Sequence, residues 1–351
     1  MKKQVTLTAL ALATAFSATT AFAGMTVAEK DGGKLQLSGK AFLGFTSNEA
    51  TDAAGGTTKT IGGNVDRFYM QMKYKKGDWT ARITTDVNNE TPVGLKRNMN
   101  VFLKYAYLEG KFSDAVQLRI GLSHTPWIDY EQKLWGHRYV AKVTSDHYKF
   151  DNSADYGLGL KGKVAGGMVN YWVTATNGGG YGKPNQTGDL DLDTRITVKP
   201  IKELDVSLQY RSGYRGKKVA GGTNGTVMTG KSKEALTQLM VSYGTKSFRV
   251  GANTLSVKNV KNDPTIKNTA SALWATGKFT KQFGAFAKLE QWKQTETPAA
   301  GTNKKDHTVV GIDFFAQKGV TLTAAYDSEK HTVGTTSTKK TEIGLYTLVK
   351  F

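Results

Sequence analysis

No cysteine occurs among the 351 residues, which excludes a disulfide scaffold and any thiolate-held metal. Proline is scarce, with 6 residues against 39 glycines, so the chain turns often without rigid linkers, as a closed sheet requires. Past residue 23 no apolar run approaches the ~20 residues of a spanning helix. The mean hydropathy of −0.41 suits a soluble protein, yet strands with an apolar residue at every second position average to the same value. Hydropathy alone therefore does not exclude a membrane.

The chain opens on positive Met1-Lys2-Lys3, continues through an apolar run from Val5 to Ala21, and reaches the small-x-small pattern Ala21-Phe22-Ala23. This reads as a secretory signal peptide over residues 1–23, followed by one domain over 24–351. The run is rich in Thr and Ala and no charged stop-transfer segment follows it, which speaks against a retained membrane helix. An exported chain without disulfides must hold itself by a core or by closure. Its formal charge is +19, of which Lys2 and Lys3 leave with the signal. Such a balance favours anionic partners, but export argues against nucleic acid as one of them.

From Gly33 onward, alternating segments of roughly nine to eleven residues recur, the length of a tilted strand crossing a bilayer. Lys34 to Thr46 presents Leu35, Leu37, Ala41, Leu43 and Phe45 on one face. The next strand presents Phe68, Met70, Met72 and Tyr74, turns at Lys76-Gly77-Asp78, and is followed by one with Trp79, Ala81, Ile83 and Val87. After a loop with Glu90, Pro92 and Gly94, Val101 to Lys111 has Val101, Leu103, Tyr105 and Tyr107 as its expected outer face. Val116 to Ser123 follows. Leu190 to Lys199 and Leu204 to Tyr214 form the cleanest hairpin. Ala270 to Phe279 with Phe283 to Lys293, and Thr308 to Ala316 with Val320 to Ser328, repeat the pattern, with long polar loops centred near Asp263, Ala300 and Thr335. The last segment, Thr341 to Phe351, sets Ile343, Leu345, Thr347, Val349 and Phe351 against Glu342, Gly344, Tyr346, Leu348 and Lys350. Sixteen strands result, with both ends on the side of the short turns. Tyr74 with Trp79 and Tyr243 with Phe248 flank such turns, as an interfacial aromatic girdle would. A soluble sandwich would need a second layer over each apolar face, and no helices or composition break supply one.

The expected fold is therefore all-β: a 16-stranded antiparallel transmembrane β-barrel with long external loops. A barrel of this size is too wide for side chains to fill, so an aqueous channel follows from closure. Arg67, Arg82, Arg119, Arg195, Arg211 and Arg249 take inward parity, as do Lys40, Lys73, Lys104, Lys161 and Lys288. Acids share that parity, among them Asp86, Asp155, Asp193, Asp205, Glu290 and Asp313. An electropositive lumen with a modest anion preference is the expectation. An arginine facing lipid would cost roughly 2–4 kcal/mol, so inward parity is partly forced.

The connection from His124 to about Asn152 contains TPWIDYEQKLWG. Thr125 can cap a short helix, Pro126 suits its first turn and Gly136 can end it. Trp127, Tyr130 and Leu134 would face the wall, leaving Asp129, Glu131 and Lys133 to water. Three of the five histidines, His124, His137 and His147, lie here. Their irregular spacing favours hydrogen-bonded histidines over a metal site. No catalytic residue, cofactor or metal is expected.

A terminal Phe351 closing an alternating strand resembles the sorting signal of bacterial outer-membrane barrels. In strand count, loop order and terminal Phe, the chain from residue 24 resembles the trimeric porins of Gram-negative bacteria. The resemblance implies residence in the outer membrane among its lipids, a homotrimer, recognition of Phe351 by the barrel-assembly machinery, and passage of small hydrophilic solutes and anions. It also implies a third loop folded inward, with Asp129 and Glu131 opposing Arg82 and Arg119 at the narrowest section. The pore-lining set is then Arg67, Arg82, Lys104, Arg119, Arg195, Arg211, Asp86, Asp129 and Glu131. Trp135-Gly136-His137-Arg138 and Gly121 to Pro126 resemble porins of the phosphate-selective type, so a solute-specific channel stands as the alternative. A barrel enzyme would need a nucleophile beside a base, and no strand position pairs Ser with His. A structural anchor would have a plugged lumen.

Overall fold

Where every second side chain is apolar, a strand is stable only with one face in hydrocarbon or core and the other elsewhere, and closure of such strands removes both sheet edges. The computed structural model describes residues 24–88, 99–183, 189–217, 232–296 and 301–351. The expected signal peptide, the loop with Glu90, Pro92 and Gly94, and the loop centre at Ala300 lie outside them. Sixteen strands form one closed antiparallel ring: β2 (Gly33–Thr51), β3 (Thr57–Lys76), β4 (Trp79–Asn88), β5 (Asn100–Lys111), β6 (Gln117–His124), β7 (Ala154–Val164), β8 (Val169–Thr176), β9 (Asp191–Val198), β10 (Leu204–Gly213), β11 (Glu234–Gly244), β12 (Phe248–Lys258), β13 (Ile266–Lys278), β14 (Phe283–Glu296), β15 (Asn303–Gln317), β16 (Val320–Val333) and β17 (Thr336–Lys350). Each pairs with the next, and β17 returns to β2 with Lys350 opposite Lys40.

One further strand precedes the ring. β1 (Met25–Lys30) folds back on β2, with Lys30 opposite Gly33 and Met25 opposite Leu37. Asp31 and Gly32, at φ +51° and +74°, form the two-residue turn whose twist matches a right-handed hairpin. Phe351 pairs with Gly39 through both backbone groups. β17 and β1 therefore lie end to end along the same edge of β2.

The outer face is apolar as expected, with Phe68, Met70, Met72, Ile83, Leu208, Tyr210, Ile343 and Leu345 all exposed. Tyr74, Trp79, Tyr243 and Phe248 are exposed beside short turns, and Tyr243 and Phe248 touch, with ring centroids 6.1 Å apart.

Two expectations about strands need correction. Tyr105 and Tyr107 face inward, because β5 bulges against β4: Thr84 sits opposite Tyr105 and Thr85 opposite Leu103, leaving Lys104 as the extra residue. A bulge of this kind switches the parity of everything beyond it, so Ala106 and Leu108 take the outer face in place of the two tyrosines. The strands also run farther on the long-loop side than expected. Around Thr335 there is a tight hairpin, Val333 opposite Thr336, in place of a long loop. Beyond the apolar belt neither face must be greasy, so alternation fades while backbone pairing continues.

Candidate functional site: the lumen and the loop folded into it

The connection between β6 and β7 lies inside the barrel. It carries α1 (Ile128–Trp135) and a single helical turn, α2 (Thr144–His147). Gly136 ends α1 at φ +80°, its N–H donating to the Gln132 carbonyl, as a left-handed C-terminal glycine does. Thr125 does not cap: its hydroxyl donates to the Asn152 carbonyl, tying the two ends of the loop together.

The helix presents Trp127, Ile128, Glu131 and Trp135 to the wall, all fully buried, with Lys133 exposed. This face is rotated by about one residue from the expected Trp127, Tyr130 and Leu134, and it takes Glu131 out of water. Trp135 stands edge-on between Trp274 (5.9 Å) and Phe286 (5.6 Å), and its indole N–H donates to the Ala141 carbonyl at 3.0 Å. Tyr139, Phe42, Tyr346 and Leu348 join the same cluster. Tyr346 and Leu348, on the expected wet face of the last strand, thus lie in a dry seam. Gly251 makes room for it, since a Cβ there would stand 2.3 Å from the Trp274 ring.

Glu131 is satisfied rather than solvated. It accepts from Trp127 Nε1 at 2.7 Å, from Asn253 Nδ2, and from Gln238 Nε2 at 3.4 Å. Burial pushes its carboxyl up to about 7, against the opposing effect of the Trp127 N–H. Asp129 behaves differently. Burial alone would raise it, yet His124, Lys133 and Lys40 together hold it well below the usual carboxylate range, and Lys133 Nζ lies 2.7 Å away.

The inward arginines divide by what they touch. Arg195 Nε donates to the Pro126 carbonyl at 2.7 Å, with the guanidinium 3.8 Å above the Tyr130 ring. Arg211 donates to the Phe150 carbonyl at 2.9 Å and to Glu234 at 2.7 Å. Both anchor the loop. Lys104 donates to Ser153 Oγ at 2.6 Å and sits 3.5 Å over the Tyr181 ring, also at the loop base. Arg67 pairs with buried Asp86 at 3.0 Å. Arg119 pairs with Glu109 at 2.5 Å, and its guanidinium stacks over the Tyr107 ring at 4.1 Å.

Arg82, by contrast, donates to Thr84 Oγ1 at 3.0 Å and, like Lys40 and Lys350, has no carboxylate partner within salt-bridge distance among the described residues, although Asp129 acts on Lys40 from farther off. These three line a cavity of about 360 Å³ facing Asp129, Lys133 and Arg138 across it. A second cavity of about 700 Å³ continues toward the short turns and shares Gly136, Tyr139, Leu348 and Lys350 with the first. Its wall carries Lys246, Arg249, Lys278, Lys281 and Lys318, and the one acid lining it among the described residues, Asp313, is engaged by His137 at 2.8 Å and Tyr139 at 3.0 Å.

Of the expected opposition across the lumen, the geometry brings Asp129 and Arg82 to one cavity and separates the other pair. Arg119 is neutralised by Glu109 on the wall, and Glu131 is turned to β11 and β12. Lys40 and Lys350, each legible as inward from parity, gain their importance from being opposite one another across the β17–β2 seam.

No protein-family model and no curated sequence matches this chain. Solved structures do match over nearly its whole length. An anion-selective porin from Comamonas acidovorans aligns at 12% identity over 91% of this chain and 100% of its own, with a TM-score of 0.62. The outer membrane channel DcaP of Acinetobacter baumannii aligns at 13% identity over 93% and 99%, with a TM-score of 0.61. The trimer form of OmpT, an outer membrane protein of Vibrio cholerae, aligns at 14% identity over 92% and 100%, with a TM-score of 0.60. At such identities the likeness is one of fold, shared with proteins described as a porin, an outer membrane channel and an outer membrane protein.

Proposed function

We propose that this chain is a water-filled channel, and not an enzyme, in the outer membrane of a Gram-negative bacterium, passing small hydrophilic solutes by passive diffusion with a modest preference for anions. Residues 1–23 are a signal peptide, the barrel works as a homotrimer surrounded by outer-membrane lipid, and Phe351 is what the barrel-assembly machinery reads. The carrying observation is the line of cations without carboxylate partners, Lys40, Arg82 and Lys350, on the wall of cavities inside a closed barrel. Charges of one sign in a narrow, low-dielectric passage raise the local concentration of the opposite ion. The constriction comprises Arg82 and Asp129 with Lys40 and Lys350, while Arg67, Arg119, Arg195, Arg211, Lys104, Asp86 and Glu131 shape the wall and hold the loop.

Swelling of liposomes carrying the folded chain tests this. Uncharged sugars should enter at rates that fall with size and do not saturate, and small organic anions should enter faster than cations of equal size. An absence of swelling would point to a plugged anchor, and saturation by phosphate at millimolar concentration to a dedicated carrier of that ion.

A further inference from the structure

Away from the constriction, the loop meets the wall through a second polar cluster. His147, at the end of α2, lies flat against His307 of β15, with ring centroids 4.5 Å apart and planes 11° from parallel. His147 Nε2 is 2.8 Å from Glu329. His307 has carboxylates at both ring nitrogens, Glu290 at 2.6 Å and Asp327 at 2.8 Å. Lys288 and Lys305 flank the group, 3.1 Å from Glu290 and 2.8 Å from Glu329.

We propose that His147, His307 and Glu290 form a site for a divalent transition-metal ion of the zinc type, fastening the inward loop to the barrel wall. One ligand atom from each of the three already lies within 4.8 Å of the others. Ligand atoms around tetrahedral zinc stand about 3.4 Å apart, so closure needs side-chain shifts of about 1 Å. Two imidazoles with one carboxylate suit zinc and exclude magnesium and calcium, which take oxygen ligands. A hydroxyl is also waiting: Tyr148 Oη is buried beside His147 with no hydrogen-bond partner among the described residues, where water on the metal's fourth position could engage it.

The charge balance points the same way. Glu290, Asp327 and Glu329 face Lys288 and Lys305, with Asp306 farther out. His307, with a carboxylate at each ring nitrogen, pairs as drawn only when both nitrogens carry a proton, whereas His147 needs only the one on Nε2. A divalent cation bound to the His307 ring displaces a proton from it, so zinc and protons compete for one place. The ligands come from a loop and two strands, which hid them from any reading of spacing along the chain.

The test is calorimetric titration of zinc chloride into the folded, detergent-solubilised full chain at pH 7.5 and pH 5.0. One zinc per chain is expected at pH 7.5, with binding at least tenfold weaker at pH 5.0. His147→Ala and His307→Ala should each weaken it at least tenfold, while His331→Ala, whose ring is hydrogen-bonded to Asn303 instead, should bind as the parent does. His147 sits on the loop, so its variant keeps the barrel intact even if the His307 variant fails to fold. No saturable uptake by the parent chain, or equal uptake by His147→Ala, overturns the proposal and leaves an imidazolium–carboxylate clasp.

Discussion

Arg82 and Arg119 both turn into the lumen, but an ion passing through would feel them differently. A unit charge 4 Å from another is worth about 4 kcal/mol at an effective dielectric of 20, and Glu109 beside Arg119 cancels most of that at any greater distance. Replacing Lys40, Arg82 and Lys350 together by glutamine should lower the anion-to-cation permeability ratio severalfold, measured as the zero-current potential in a salt gradient. Arg119→Gln should change it far less, because Glu109 keeps Lys161 at 2.6 Å. The inward direction of these arginines was legible from parity. Their partners were not, since pairing depends on which residue of a neighbouring strand or of the loop arrives beside each one.

Glu131 supplies a pH dependence. Its carboxyl, raised from 4.5 to about 7 by burial, binds a proton more tightly with the loop docked than in the unfolded chain. The contribution to stability is thus fully present below about pH 4.5 and is lost as pH rises through about 7, at most ~3 kcal/mol in all. The protection of the loop amides in residues 125–153, taken relative to the intrinsic base-catalysed exchange rate at each pH, should fall between pH 5 and pH 8, and Glu131→Gln should flatten that trend. An unchanged trend in the variant would assign the effect to another group.

At the level of elements, the inward loop is held by a dry cluster centred on Trp135 and by wall side chains that donate to its backbone. Trp135→Ala should cost about 3–5 kcal/mol of loop docking, the range for deleting a large buried aromatic. It should appear as noisier single-channel current and faster protease nicking within residues 125–153, with the barrel itself still folded. The helix and its Gly136 stop were legible in TPWIDYEQKLWG, but its buried face was not. The docking surface includes Asn253, Gln238 and the Trp127 indole, which together make a buried carboxylate tolerable, and a hydrophobicity pattern cannot foresee that. The same limit applied to β5, where the bulge at Lys104 reversed the expected outer face, and to Asp31-Gly32, a hairpin signal whose short strand was overlooked because its six residues are exposed on both faces.

At the scale of the whole molecule, closure explains most of what the chain does without. With no disulfide and few prolines, it depends on an unbroken ring of antiparallel pairs, completed where β17 meets β2 and extended by β1 below Phe351. Such a ring should resist unfolding in SDS at room temperature and convert to the unfolded mobility only on boiling, which gel migration before and after heating checks. The number of strands in the ring and the exposed aromatics beside its short turns were readable from alternation and turn spacing, because a strand with one greasy and one wet face keeps a strict two-residue period. Strand length was not readable beyond the apolar belt, where that demand ends.

Incorporating the folded chain into a planar bilayer with a tenfold potassium chloride gradient tests the central claim most directly. The lumen described here should conduct, with a zero-current potential of the sign set by chloride. A closed membrane, or a potential of the sign set by potassium, would contradict it.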